Sequence, residues 1–114
     1  MKDFTKVMKA LSDPNRVKIV KMLQHKGMCV CEMREALQVS QPSVSKNLKI
    51  LEDAGLVDFH KNGLWADYRL TDGSKSPYVA SLLGNLRHWL DDEAQVKELI
   101  AKIPHIHREE VCKK

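Results

Sequence analysis

The chain has 114 residues, 43% of them hydrophobic and 30% charged, with a formal net charge of +4 at pH 7. That length fits one domain with a modest core, and the mild basic excess is compatible with nucleic acid without requiring it. The opening MKDFTKVMKA has no continuous apolar run, so no signal peptide or membrane span is expected; in a cytoplasmic protein the three cysteines read as core, metal-binding or redox-active rather than as a disulfide framework.

Phe4, Val7, Met8 and Leu11 recur at helical spacing and predict a short first helix. In SDPNRVKIVKML, Asp13 is placed to cap a second helix with Pro14 at its first position, and Val17, Val20 and Leu23 line one face. Beyond Gly27, the residues Met33, Ala36 and Leu37 form the stripe of a brief third helix. A tight QVS turn leads to Ser40, which caps a helix over Gln41 to Ala54. Val44, Leu48 and Leu51 turn inward there, and Gly55 ends it in the left-handed conformation that glycine adopts cheaply. The period then changes. LVDFH and LWADYRL alternate like strands and are joined through Lys61-Asn62-Gly63, a strong hairpin signal. Ser76 and Pro77 start another helix with Val79, Leu82, Leu83, Leu86 and Leu90 on one face. Asp91, Asp92 and Glu93 suit the positive end of a last helix, whose stripe is Val96, Leu99, Ile100 and Ile103 and which Pro104 stops. HIHREEVCKK, residues 105–114, is expected as a flexible tail behind a DNA-binding and dimerisation domain over 1–104.

Four helices, a hairpin and two more helices make a mainly α fold with a small β-hairpin wing, a winged helix-turn-helix. The terminal helices carry more apolar face than so small a core can use, so a homodimer through them is expected. On the fourth helix, Gln41, Ser43, Ser45, Lys46, Asn47 and Lys49 are the candidate contacts to double-stranded operator DNA, with Lys61 at the hairpin tip. Gln and Asn can bond adenine edges, and Lys can reach guanine or phosphate.

ALSDPNRVKIVKML, SQPSVSKNLKILEDAGLV and KNGLWADYRL together resemble the ArsR/SmtB family of bacterial dimeric repressors. The resemblance covers nearly all of residues 5 to 90, three segments matching in order and at the expected separation. It implies operator binding by the free protein, release when a metal or metalloid binds, a reading helix over Gln41 to Ala54 and a wing over Val57 to Leu70. Lys46-Asn47 stands where many members have a His pair, and His60-Lys61-Asn62-Gly63 replaces a more arginine-rich wing, which leaves the operator sequence open. MCVCEM resembles the Cys-Val-Cys-acidic motif of the arsenic-sensing branch, placed in the first helix of the helix-turn-helix. That branch often has a further cysteine where this chain has Arg34, so a third sulfur has to come from Cys112 or from a small cellular thiol.

Trivalent arsenic and antimony are thiophilic and take two or three sulfurs in a pyramid, and soft ligands select soft ions. Cys29 and Cys31 are therefore the first candidate ligands and Cys112 the third. Residues two apart in a regular helix are rotated by about 200°. The pair cannot grip one small ion while that turn is helical, so capture is expected to hold or pull residues 29 to 31 into a non-helical form and shift the helix that supports the reading helix. Zinc or cadmium is the competing effector. Zinc prefers four ligands, for which His105, His107, Glu110 and Cys112 are a possible set, but NLRHWLDDEAQ lacks the paired Asp-x-His and His-x-x-Glu of the family's zinc sensors, and His88 reads as a surface or interface residue. A redox or persulfide signal through the same cysteines would need low-pKa thiolates, which Lys26 and Arg34 are placed to favour. A DNA binder with no effector is a further class. No cofactor is required, and no phosphate-binding glycine loop or nucleophile–base signature points to an enzyme.

Overall fold

Asp13, Ser40 and Ser76 each start a helix by accepting backbone N–H bonds through the side chain, with proline in the first turn behind them. The computed structural model describes residues 1–63 and 65–112, apart from the side chains of Asn62 and Trp65. Leu64, in the expected wing, and Lys113 and Lys114, in the expected tail, lie outside the described residues. In chain order the elements are α1 (Lys2–Ala10), α2 (Pro14–Leu23), α3 (Val30–Leu37), α4 (Gln41–Asp53), β1 (Val57–Asn62), β2 (Trp65–Leu70), α5 (Pro77–Leu86) and α6 (Ala94–Lys102). A short 3-10 turn (Ile103–His105) and α7 (Arg108–Val111) follow. No helix among the described residues is long and apolar enough to cross a membrane.

The core forms where α2, α3 and α4 meet. Ile19, Val20, Met22, Met33, Val44, Leu48 and Leu51 are fully buried there. The expected α2 stripe is shifted: Val17 is only partly buried, whereas Ile19 and Met22 lie inside. α4 closes as expected, with Gly55 at φ +83 and the Leu56 N–H reaching back to the Leu51 carbonyl at 3.0 Å. β1 and β2 pair antiparallel from Val57↔Leu70 to Asn62↔Trp65. Asn62 is thus the last strand residue rather than part of the turn, and Gly63, at φ +65, takes the first of the two loop positions, where glycine carries no Cβ penalty.

Two expectations fail at the C-terminal end. α5 stops at Leu86, so Leu90 is off its stripe, exposed and at φ +70. The cause is Lys21, whose fully buried ammonium donates to the Leu86 carbonyl (2.7 Å), the Trp89 carbonyl (2.9 Å) and Asp91 (2.7 Å). A buried cation has to be paired in this way, and the partners it takes are those of a helix end. Asp91 is drawn into that contact, and α6 starts later, with Glu93 at its N-cap.

The stretch expected to trail as a tail is folded back through residue 112. Ile106 is buried, α7 packs against α3, and the Arg34 guanidinium donates to the Val111 carbonyl at 3.1 Å. Arg108 ties the same turn to α3 and β2 through Glu32 and Asp67.

Candidate metal centre and DNA-reading helix

The backbone before α3 is held as a strand. Met28 and Tyr68 exchange both hydrogen bonds, Met28 N–H to Tyr68 O at 3.1 Å and Tyr68 N–H to Met28 O at 2.8 Å. Gly27 passes so close to β2 that a Cβ there would meet Arg69 Cγ at 3.0 Å. Cys29, the residue after Met28, is still extended (φ −91, ψ 169) and serves as the N-cap of α3. Its N–H donates to the Glu32 carboxylate at 2.9 Å, while its sulfur faces the Glu32 N–H. This is a capping box with sulfur in place of the usual hydroxyl oxygen.

That geometry overturns the expectation that the pair must unwind a helix to meet. Cys29 already lies outside the helix and Cys31 is on its first turn, so the 200° rotation that separates i and i+2 does not apply between them. The sulfurs of Cys29, Cys31 and Cys112 all lie within 4.8 Å of one another, and Cys29 Sγ is 3.3 Å from Cys112 Sγ. Arg34 stands where a third cysteine is absent, and by holding the Val111 carbonyl it brings in the neighbouring Cys112 instead. Among the described residues this trio is the one group of three or more Cys, His, Asp or Glu able to hold an ion, so His105, His107 and Glu110 form no such set with Cys112.

The donor set is soft and short of four. Metal–thiolate bonds of about 2.3 Å from one centre keep their sulfurs within about 4 Å, so this triangle fits a single ion after at most a small contraction. Cys29 is buried and Cys31 and Cys112 are partly exposed, leaving an approach to the cluster. Burial pushes the Cys29 thiol above its ordinary range. Burial first, then the hydrogen bonds with Cys31 and Cys29, push Cys112 up further still. Lys26 and Arg34 do not make these two thiols acidic: Lys26 pairs with Glu32 at 3.4 Å and Arg34 is engaged at Val111. Both thiols are therefore held protonated at neutral pH, which disfavours a reactive thiolate and means that an ion must displace protons to bind.

Glu32 is the side chain that sequence reasoning missed. It is 1% exposed, accepts from the Cys29 N–H and from Arg108 at 3.1 Å, and forms an ion pair with Lys26 at 3.4 Å. Burial alone would raise its pKa, but the Cys29 hydrogen bonds and the charges of Arg108 and Lys26 outweigh it and hold the carboxyl below 4.5. The available signal was its spacing, three residues after an N-cap position.

On α4, Gln41, Ser45, Lys46 and Lys49 are exposed and Ser43 is partly so; Lys61 is exposed near the hairpin turn. Lys49 makes an exposed pair with Asp53 at 3.3 Å. Asn47 leaves the reading set. It is 8% exposed, and its Oδ1 accepts from Arg16, whose guanidinium also donates to the Ala10 and Lys9 carbonyls. A buried amide engaged in this way ties α4 to α1 and α2 and does not stand among the exposed side chains of α4.

The family model described as "Bacterial regulatory protein, arsR family" matches residues 13–58. The arsenical resistance operon repressor of Escherichia coli strain K12 is 32% identical over 98 residues, covering 83% of this chain and 80% of the relative. The arsenic resistance transcriptional regulator ArsR1 of Pseudomonas putida is 38% identical over 92 residues, covering 77% of this chain and 72% of the relative. Among solved structures, the transcriptional repressor BigR from Xylella fastidiosa superposes with a TM-score of 0.63 at 29% identity, over 72% of this chain and 77% of that one.

Replacing Glu32 by Gln removes charge-assisted bonds and is expected to lower the unfolding free energy by about 2 kcal/mol at pH 7. A carboxylate whose pKa is depressed in the fold contributes stability above its unfolded value of 4.5, so the gap between Glu32→Gln and the native chain should close as pH falls below that value. Urea titrations at pH 7 and at lower pH check both.

Proposed function

This chain belongs to the ArsR family of DNA-binding transcriptional repressors, and we propose that within it the effector is trivalent arsenic or antimony, captured by Cys29, Cys31 and Cys112. The observation that carries the reading is the convergence of three sulfurs within 4.8 Å at the start of α3, with no His, Asp or Glu among the described residues joining them. Zinc and cadmium sensing is the alternative with the same cysteines. The donor set weighs against zinc, which prefers four ligands, and toward an ion satisfied by three soft ones. The relatives include arsenical resistance repressors, an SmtB repressor and a cadmium resistance regulator, so the choice of effector rests on the donor set.

In this reading α4 is the recognition helix. Gln41, Ser43, Ser45, Lys46 and Lys49 face the major groove, and Lys61 reaches backbone phosphate from the wing. Phe4, Met8 and Tyr78 are exposed on α1 and α5, and Phe4 meets Tyr78 edge-on with ring centroids 5.3 Å apart. That apolar face fits a second copy, so the repressor acts as a homodimer presenting two recognition helices to two half-sites at fixed spacing. The thiols hold the first helix of the helix-turn-helix to α7, so drawing them together around one ion moves α3 against α4 and lowers operator affinity. Coupling of about 1–3 kcal/mol is typical of such systems.

Operator binding by fluorescence anisotropy, titrated with arsenite, tests the effector. Arsenite is expected to release the native protein, and Cys29→Ser and Cys31→Ser to hold DNA through the titration. Release undiminished in both variants, or release by zinc or peroxide and not by arsenite, would overturn the proposal. Lys61→Ala is expected to weaken operator and unrelated DNA alike and to reduce the salt slope by about 1, as loss of one phosphate contact does; an unchanged slope would remove Lys61 from the interface.

A further inference from the structure

We propose that Arg108 is a positioning residue that carries the state of the thiol cluster to the wing. The inference rests on the effector reading above. Arg108 and Cys112 belong to one turn, the Cys112 N–H donating to the Arg108 carbonyl at 2.9 Å. From that turn the Arg108 guanidinium reaches two carboxylates on different elements: Asp67 on β2 at 2.6 Å and Glu32 on α3 at 3.1 Å. Both acids are buried, at 7% and 1% exposure, so these are ion pairs shielded from water rather than solvated surface contacts.

The placement of the acceptors gives the contact its consequence. Asp67 sits in β2 opposite His60 of β1, one residue from Lys61 and one residue from Tyr68, whose backbone is bridged to Met28 just before Cys29. Among the described residues, the Met28–Tyr68 bridge and Arg108 both attach the wing to the thiol segment. The bridge is backbone and precedes the cluster. Arg108 belongs to the turn that Cys112 must carry with it when the three sulfurs close on one ion. A short, directional guanidinium–carboxylate contact does not stretch with that motion. It breaks or re-forms, so the wing has one position with the pair made and another with it lost. The wing holds Lys61 near its turn, so changing its position against α4 changes which phosphates that lysine can reach.

The test separates binding from coupling. Arg108→Met keeps an unbranched apolar stem and removes the guanidinium; Asp67→Asn leaves the tail sequence untouched and weakens the same contact from the wing side. In each protein, arsenite binding is followed by sulfur-to-arsenic absorbance and operator affinity by anisotropy with and without arsenite. The native chain is expected to show the absorbance and a drop in operator affinity within the roughly 5–150-fold range of allosteric coupling. Asp67→Asn, which leaves Arg108 seated on Glu32, is expected to keep the absorbance while that ratio falls by at least about fivefold; Arg108→Met is expected to lower the ratio together with part of the absorbance, because Arg108 also seats the turn of Cys112, and Arg108→Lys to recover part of both. The double variant should lose no more than Arg108→Met alone, because Asp67 acts through its contact with Arg108. A merely structural role would lower the melting temperature and leave the ratio alone. A native-sized ratio in folded Arg108→Met or in Asp67→Asn overturns the inference, and if Arg108→Met fails to fold, Asp67→Asn decides alone. Absence of the absorbance in the native chain would instead refute the effector reading, and the coupling with it.

Discussion

Two hydrogen bonds between Met28 and Tyr68 hold the chain extended up to Cys29, and that extension decides what its cysteines can do. A Cys-Val-Cys within a helix would point its sulfurs to opposite faces. Here the first cysteine is the last extended residue and the second is on the first turn, so both can face a common point. Glu32 locks the arrangement by accepting the Cys29 N–H, one of the donors that every helix start leaves without an intrahelical partner. The site is in this sense built before any ion arrives, and little conformational entropy remains to be lost on binding.

The other half of the site is the returning tail. A segment of this length has too few apolar residues to fold alone, and Ile106 is its one buried side chain among the described residues. Its docking depends on Arg34 holding the Val111 carbonyl and on Arg108 lying between Glu32 and Asp67. Buried charges are costly unless paired, and among the described residues every buried side-chain nitrogen or oxygen has a partner. The same charges that seat the tail also join α3 to the wing. Arg108 thus links the turn that completes the thiol triangle to α3 and to β2 of the hairpin.

Much of the fold was legible because its signals are local. Asp13, Ser40 and Ser76 cap within three residues of themselves, the Val44, Leu48 and Leu51 stripe repeats at helical period, and the hairpin alternates at period two. The failures come from partners distant in sequence. Lys21 reads as a surface charge until the carbonyls of Leu86 and Trp89 are brought to it. Asn47 reads as a groove contact until Arg16 takes its oxygen. Cys29 reads as helical because nothing nearby announces that Tyr68, on another element, will pair with its neighbour. The candidate ligands were legible as residue types, but not their geometry, which depends on a strand bridge and a docked tail with no periodic signature.

The central claim is that three sulfurs of this one chain surround a single metalloid. X-ray absorption at the arsenic edge of the arsenite-loaded protein counts those neighbours directly. The account predicts three sulfurs in the native chain and two in Cys112→Ser. Fewer than three in the native chain, or a Cys112→Ser spectrum indistinguishable from it, would contradict the account.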